Sequence, residues 1–413
     1  MICRAEQRAV MLISRQSQIL IPSSRYELIE QIIDGGQAAN TAFFDDLRKG
    51  GFLAWIEDNA DVMRGAMERS VVVQSPENAY AAPVQLNLEL TTRCPLRCPQ
   101  CYCDLHRGKD LPPDRATKVL RQAAALGVAN INLSGGETMV YPHLYRLIEE
   151  CASLGLNAAV ALSGYGVDEN SLQKLIDSGV NEIYVSLNGS TEEVNRHTRD
   201  GFHLAVNALE LLSRSGFERT VVNWVAHKSN VDDFTNVAEL CARLCIKRLM
   251  VMAFKPDSRH SMESAPDGEQ TRQLAGEIRR LRKELPGLSI EVESCYSPLC
   301  AYLGQKFFAN LNTGISKGCG AGRDGASLDV DGNFTPCRHL DFHEAFDNLR
   351  DYWYDSDVLK NLRAVEETPE EPCSKCRYKA YCLSCLATGA KLHGRIVKAN
   401  SHCSLWEKEK ADG

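Results

Sequence analysis

Residues 84–102 read Val84-Gln-Leu-Asn-Leu-Glu-Leu90, then Thr-Thr-Arg, then Cys94-Pro-Leu-Arg-Cys98-Pro-Gln-Cys101-Tyr102. Apolar and polar residues alternate from 84 to 90, which is the period of a half-buried strand. Cys94, Cys98 and Cys101, spaced C-x3-C-x2-C, therefore occupy the loop at the strand's C-terminal end, where parallel α/β barrels place their chemistry. Three thiolates on such a loop are candidate metal ligands. A structural zinc site would need a fourth ligand, whereas a four-iron cube held by three leaves one iron open.

Outward from this stretch, strands and helices alternate. A helix opened by Pro112-Pro113-Asp114 closes near Gly127, 129–133 reads as a strand, and the next helix is expected to hold Pro142 in its first turn. Further strands are expected over 157–162, 182–187, 220–226 and 248–253, with helices over 168–178, 204–215 and 231–244. Six βα units joined by short connections imply an α/β fold with a parallel sheet wound right-handed and closed or nearly closed. Leu133-Ser134-Gly135-Gly136-Glu137 follows the second strand at the same sheet edge as the cysteine loop. Its two glycines let backbone approach a ligand without a Cβ, and Glu137 offers a carboxylate.

Composition narrows the classes. At 413 residues and 44% hydrophobic, the chain can bury a large core and has room for two or three domains. A net charge of -7 and a pI near 5.9 leave no electrostatic footprint for nucleic acid. Arg4, Glu6, Arg8 and Arg15 interrupt the N-terminus, and no apolar run reaches about 18 residues, so neither a secretory segment nor a membrane span is expected. Seventeen cysteines without such a segment favour metal thiolates in a reducing cytoplasm, the expected location. Residues 1–80 form a separate small α(+β) unit with two short amphipathic helices, 26–33 and 42–53, the second ended by Gly50-Gly51.

The last third carries a second cysteine pattern. Cys319 is followed by 12 residues and Gly332-Asn-Phe-Thr-Pro-Cys337, then Cys373-x2-Cys376-x5-Cys382-x2-Cys385, and finally Cys403. Asp331-Gly332 is a two-residue hairpin signal between 326–330 and 333–335, which puts Cys337 just past a hairpin. A short helix over 298–310 would bridge this region to the barrel. C-x2-C pairs serve zinc too, but structural zinc fingers usually separate their pairs by more than about five residues. Cys151, Cys241 and Cys245 read as buried small hydrophobes and Cys3 as incidental. Cys103, two residues beyond Cys101, is either a buried inert thiol or a hydrogen-atom donor to a substrate radical.

The cysteine triad and the Gly-Gly-Glu turn resemble the radical S-adenosylmethionine (SAM) enzymes, and the seven later cysteines resemble the SPASM auxiliary-cluster domain. The resemblance covers about 84–403 and implies a partial (β/α)6 TIM-like barrel over 81–295, a bridging segment over 296–318 and a cluster domain over 319–413. Residues 1–80 are loosely similar to the recognition elements of peptide-modifying relatives, or serve as a cap on the barrel. By resemblance, Cys94, Cys98 and Cys101 hold a 4Fe-4S cluster whose open iron binds SAM, while Gly135, Gly136 and Glu137 meet its ammonium group. Ser163, Asn188 and Arg199 match positions that hold its ribose and carboxylate. Two departures stand out. Gln100 occupies a position that is commonly aromatic, and two residues rather than three separate Cys382 from Cys385.

The resemblance further implies three 4Fe-4S clusters. Cys373, Cys376, Cys382 and Cys403 would hold an outer auxiliary cluster, and Cys319, Cys337 and Cys385 an inner one. Two cubes take up to eight thiolates and the motif supplies seven, so Cys295 or Cys300 completes the inner set, or an iron stays open. One electron from a reductant such as flavodoxin or ferredoxin would cleave SAM to a 5'-deoxyadenosyl radical, which takes a substrate hydrogen, while the barrel shields the radical. The expected substrate is a ribosomally made precursor peptide and the expected outcome a thioether or carbon-carbon crosslink. Epimerisation and excision are alternatives from the same class. Sulfatase maturases carry Asp after the Cys337 counterpart, where this chain has Arg338. A non-enzymatic Fe-S electron carrier or zinc scaffold would form no 5'-deoxyadenosine.

Overall fold

The computed structural model describes all residues except 15–17, 37–41, 104, 106, 258–260, 305–318, 380, 381, 383 and 406–413. Strands β1 (Ile2–Glu6), β2 (Ala9–Ile13) and β3 (Gln18–Pro22) pair antiparallel in that order. Helices α1 (Tyr26–Ile33), α2 (Ala42–Lys49), α3 (Phe52–Asp58) and α4 (Ala60–Arg69) follow. Val10, Leu12 and Ile21 meet Ile29, Phe44, Leu47, Phe52, Ile56 and Met63 in a core of their own. The expectation of two helices is therefore corrected to three strands and four helices. Two buried charges disguised the first strand. Arg4 Nε donates to Glu6 Oε1 at 2.7 Å, and its guanidinium donates also to the carbonyls of Ala82, Pro83 and Gly127. Ala81 N donates to Glu6 Oε2 at 2.6 Å, so the pair ties this unit to the connecting segment and the barrel base.

The stretch 84–90 does form a strand, β4 (Gln85–Glu89). It begins the series α5 (Pro113–Ala125), β5 (Asn130–Ser134), α6 (Leu144–Ser153), β6 (Asn157–Leu162), α7 (Glu169–Asp177) and β7 (Glu182–Ser186). The series continues with α8 (Glu192–Asn195), α9 (Phe202–Arg214), β8 (Thr220–Val225), α10 (Phe234–Arg243), β9 (Arg248–Met252), α11 (Gly268–Glu284) and β10 (Ser289–Val292). These seven strands are parallel in chain order. After α12 (Ser297–Tyr302), β11 (Gly325–Leu328) adds to the far side of β4 in parallel, and β12 (Phe334–Thr335) pairs antiparallel with β11. The sheet order β10-β9-β8-β7-β6-β5-β4-β11-β12 has two open ends, so this is an α/β partial barrel. Helices α13 (Leu349–Asp355), α14 (Asp357–Val365) and α15 (Leu386–His393) complete the C-terminal region.

Alternation along β4 sorts its side chains. Leu86, Leu88 and Leu90 are wholly buried with Ala116, Val119, Leu120 and Ala123 of α5, each leucine contributing about 1.5–3 kcal/mol. Gln85, Asn87 and Glu89 take the opposite face and line cavities in the barrel. The same holds for Asn130, Asn132 and Ser134 of β5. A polar lumen, unlike the packed interior of a closed barrel, leaves room for ligands.

Cys151 and Cys241 are buried as expected, but Cys245 is exposed, and three expectations of local structure are corrected. Pro142 lies before α6, whose N-cap is His143, because the turn Thr138–Val140 carries the chain there first. The hairpin ladder ends at Leu328 and Phe334, since Asp329 Oδ1 accepts from Asp331 N and Asn333 N and opens a wider loop. The bridging helix spans Ser297–Tyr302 only, and 305–310 lie outside the described residues.

Candidate functional site

The triad loop leaves β4 and is clamped on both sides. Thr92 N donates to Lys109 O and Leu111 N to Leu90 O, both at 2.8 Å, while Arg93 forms an ion pair with Asp110. Arg97 N donates to Asp200 Oδ2 at 2.7 Å and Gln100 N to Thr198 O at 3.1 Å, which fixes the outer arm against the loop after α8.

Gly135 and Gly136 are glycines for a steric reason. Gly135 has φ +142°, and a Cβ there would stand 2.4 Å from Thr91 O; at Gly136 it would stand 2.4 Å from Arg93 O. Gly136 N donates to Thr91 O at 2.6 Å and Glu137 N to Arg93 O at 2.9 Å, so this turn is welded to the root of the cysteine loop. Both glycines line one cavity with Cys94, Cys98, Cys101, Ser163, Asn188 and Arg199. The cavity takes in all the candidate SAM contacts but Glu137.

Glu137 turns inward instead. It is 1% exposed, and its carboxylate accepts from Met139 N at 3.0 Å, Ser163 N at 2.9 Å and Ser163 Oγ. Burial raises its pKa, opposed by these bonds and by the charge of Arg199. The carboxylate thus holds the ends of β5 and β6 in register beneath the cavity. Glu137→Ala would strand two buried N–H donors at about 1–3 kcal/mol each. We expect lower thermal stability together with weaker SAM binding, and substantial recovery of both in Glu137→Gln; calorimetry on the purified variants checks this.

Asn188 is occupied too. Its Nδ2 donates to Thr198 Oγ1 at 3.0 Å and its Oδ1 accepts from Val225 N at 3.0 Å. Arg199 Nε and Gln100 Oε1, in contrast, are buried on the cavity wall with no hydrogen-bond partner among the described residues. An unsatisfied guanidinium donor beside three thiols suits a ligand with a carboxylate, and SAM has one. The residues present therefore fit the group the motif implies.

The later cysteines gather in two places. Hydrogen bonds to Cys319 and Cys385, with burial, push the Cys295 thiol well above its ordinary value. Burial, with the neighbouring thiols of Cys319 and Cys385, pushes Cys337 up to about 12. Cys295, Cys319, Cys337 and Cys385 thus stand together, whereas Cys300 points its Sγ at Glu293 O. Of the expected outer set, Cys373, Cys376, Cys382 and Cys403 line a common cavity, which Cys295 and Cys385 also reach. A buried ion pair spans the two groups: Lys398 Nζ lies 2.7 Å from Glu366 Oε2 and donates to Cys382 O, while Glu366 Oε1 accepts from Cys319 N. Lys255, paired with Glu293 at 2.8 Å, stands near Cys295 and Cys385. Burial alone would lower its pKa, but Glu293 and these thiols hold it above the ordinary lysine value. Among the described residues no three His, Cys, Asp or Glu side chains converge on a single ion.

Sequence reasoning missed how the two cysteine regions touch. The Tyr102 ring, next to Cys101, lies 4.7 Å from the His339 ring, and the Arg338 guanidinium stands 5.2 Å over it. Cys103 lies between them at the cavity wall, its Sγ 3.3 Å from Gly135 O. The adjacency of Tyr102 to Cys101 and of Arg338 to Cys337 was the available signal.

Comparison with known proteins agrees with this geometry. Residues 88–241 match the model of the radical SAM superfamily. The PqqA peptide cyclase of Ruegeria pomeroyi is 28% identical over 322 residues, which cover 73% of this chain and 82% of that protein. The PqqA peptide cyclase of Methylorubrum populi is 28% identical over 354 residues, covering 80% and 87%. The structure of Streptococcus suis SuiB bound to precursor peptide SuiA superposes with a TM-score of 0.75 over 97% of this chain and 98% of that one, at 17% identity, and so shares its fold. No described helix is long and apolar enough to cross a membrane. The triad, the glycine turn, the barrel that presents them and the family match thus converge on one statement: this chain contains a radical SAM domain.

Proposed function

We propose that this protein is a radical SAM enzyme that crosslinks a ribosomally made precursor peptide. The observation that carries this reading is the shared chamber, in which the Cys94, Cys98 and Cys101 loop meets Arg338 and His339 beside Cys337. A radical generated on one side has a second cysteine-rich centre on the other to receive an electron, which oxidative bond formation needs. Support comes from relatives named cyclases of a peptide and from the shared fold of a protein solved with its precursor peptide. A bound SAM supplies the hydrogen-abstracting radical. This chain's residues orient it through Arg199 and the turn at Gly135 and Gly136, stitched by Glu137 and Ser163.

We assign three 4Fe-4S clusters: one on the triad, an inner one on Cys295, Cys319, Cys337 and Cys385, and an outer one on Cys373, Cys376, Cys382 and Cys403. The grouping of Cys295 with Cys319 and Cys385 favours it over Cys300 as the fourth inner ligand. None of the seventeen cysteines is in a disulfide, which suits a reducing cytoplasm and a flavodoxin- or ferredoxin-like reductant. Residues 1–80 bind the leader of the peptide by strand addition, for which the outer edges of β1 and β3, unpaired by any strand among the described residues, are the available templates.

The test uses the reconstituted enzyme, SAM, dithionite and the peptide encoded by a short reading frame adjoining the gene. The expected product is lighter by two hydrogen atoms, with an internal link located by fragmentation. A leaderless core peptide should react at least about tenfold more slowly, and free leader added in trans should restore part of the rate. Retention of full mass with exchange of an α-hydrogen for solvent deuterium would identify an epimerase instead.

A further inference from the structure

A second chamber opens beyond Tyr102 and Cys103. Its wall includes Asn87 and Glu89 of β4, Asp329 at the end of β11, Arg338 and His343. Because Ser327 pairs with Asn87 and Leu328 with Leu88, Asp329 comes next to Glu89 on the neighbouring strand. The two carboxylates differ in surroundings. Asp329 is 6% exposed and saturated: Oδ1 accepts from two backbone N–H groups and Oδ2 contacts His343 Nδ1 at 2.6 Å. The side-chain hydrogen bond Glu89 makes among the described residues is from the Cys103 thiol, 3.9 Å from Oε1, with the charges of Arg338, Asp329 and His343 nearby. The Asn87 amide nitrogen, two residues before it on the same face, is buried without a partner.

We propose that Glu89 accepts the proton that the peptide loses when the crosslink closes, with the Asn87 amide holding a carbonyl of the peptide beside it. This inference rests on the crosslinking reading. Joining two groups of a peptide removes two hydrogens. The first leaves as a hydrogen atom to the 5'-deoxyadenosyl radical; the new bond then forms, and the remaining substrate radical sheds one proton and one electron. The electron would be taken up by the iron-sulfur group that the inner cysteines would hold, one of which, Cys337, is on the wall of this same chamber. The proton passes to the Glu89 carboxylate. Burial, followed by the charge of Asp329, raises the Glu89 pKa, while Arg338, the Cys103 contact and His343 restrain the rise. A raised value makes a better base than an ordinary surface carboxylate.

The experiment compares the parent, Glu89→Gln and Glu89→Asp as reconstituted full-length enzymes, with the adjoining-frame peptide made deuterated at carbon. Iron content and peptide affinity are measured alongside, so that a misfolded variant is recognised, and Glu89→Asp supplies a second reading should Glu89→Gln not fold. In Glu89→Gln, deuterium should still reach 5'-deoxyadenosine while crosslinked product falls about a hundredfold or more. Glu89→Asp should regain part of the product. A Glu89→Gln enzyme that crosslinks at the parental rate overturns the assignment, and so does one that loses deuterium transfer together with product, since Glu89 would then only position the peptide. A parent enzyme that transfers deuterium yet forms no link overturns the crosslinking reading itself, and with it the need for this acceptor.

Discussion

Alanine in place of Cys94, Cys98 and Cys101 together is expected to abolish formation of 5'-deoxyadenosine and to leave about eight of about twelve irons on the reconstituted chain. The loss is all-or-none because the three thiolates that would hold this cluster are removed together. Folding should survive, since the loop is held by backbone bonds to Lys109, Leu90 and Thr198 and by the Arg93–Asp110 pair, none of which needs a thiolate. Iron analysis, anaerobic SAM-cleavage assay and circular dichroism together decide it. A variant that retains twelve irons, or still cleaves SAM, would remove the assignment of the triad. Zinc in the purified parent, with no uptake of iron, would remove the cluster reading altogether.

A single change at Cys295 should have the next largest effect. Cys295→Ala is expected to lower iron by up to about four atoms and to suppress crosslinked product while SAM cleavage continues. Cys300→Ala should keep the iron and cost only about 1 kcal/mol of packing. The contrast follows from placement. Cys295 leaves the end of β10 toward Cys319 and Cys385, whereas Cys300 lies within α12 at 1% exposure with its thiol on Glu293 O. Electron paramagnetic resonance of the reduced variants separates loss of the inner cluster from loss of the outer one. Equal spectra in both variants would mean that the inner site is closed by neither cysteine.

The sequence by itself determined what depends on near neighbours. Alternation at 84–90 specified a strand because the sheet face and the helix face of β4 differ in polarity, and the six expected βα strands all lie in the sheet. The triad, the Gly135-Gly136 turn and the Cys373 to Cys385 run are likewise compact in sequence, so they carried the family resemblance that implied the chemistry. Only tertiary structure decided what depends on distant segments. The first N-terminal strand was hidden because its Arg4 and Glu6 are buried against carbonyls and an N–H contributed from 81–83 and 127. Glu137 was legible as a carboxylate but not as an inward one, since its direction is set by the Ser163 and Met139 N–H groups. The pairing of β11 with β4, more than two hundred residues apart, places Asp329 beside Glu89 and Cys337 beside the triad's chamber. No local period encodes that contact. It arises because β4 would otherwise be an edge strand with unpaired backbone groups, and the returning chain supplies its partner.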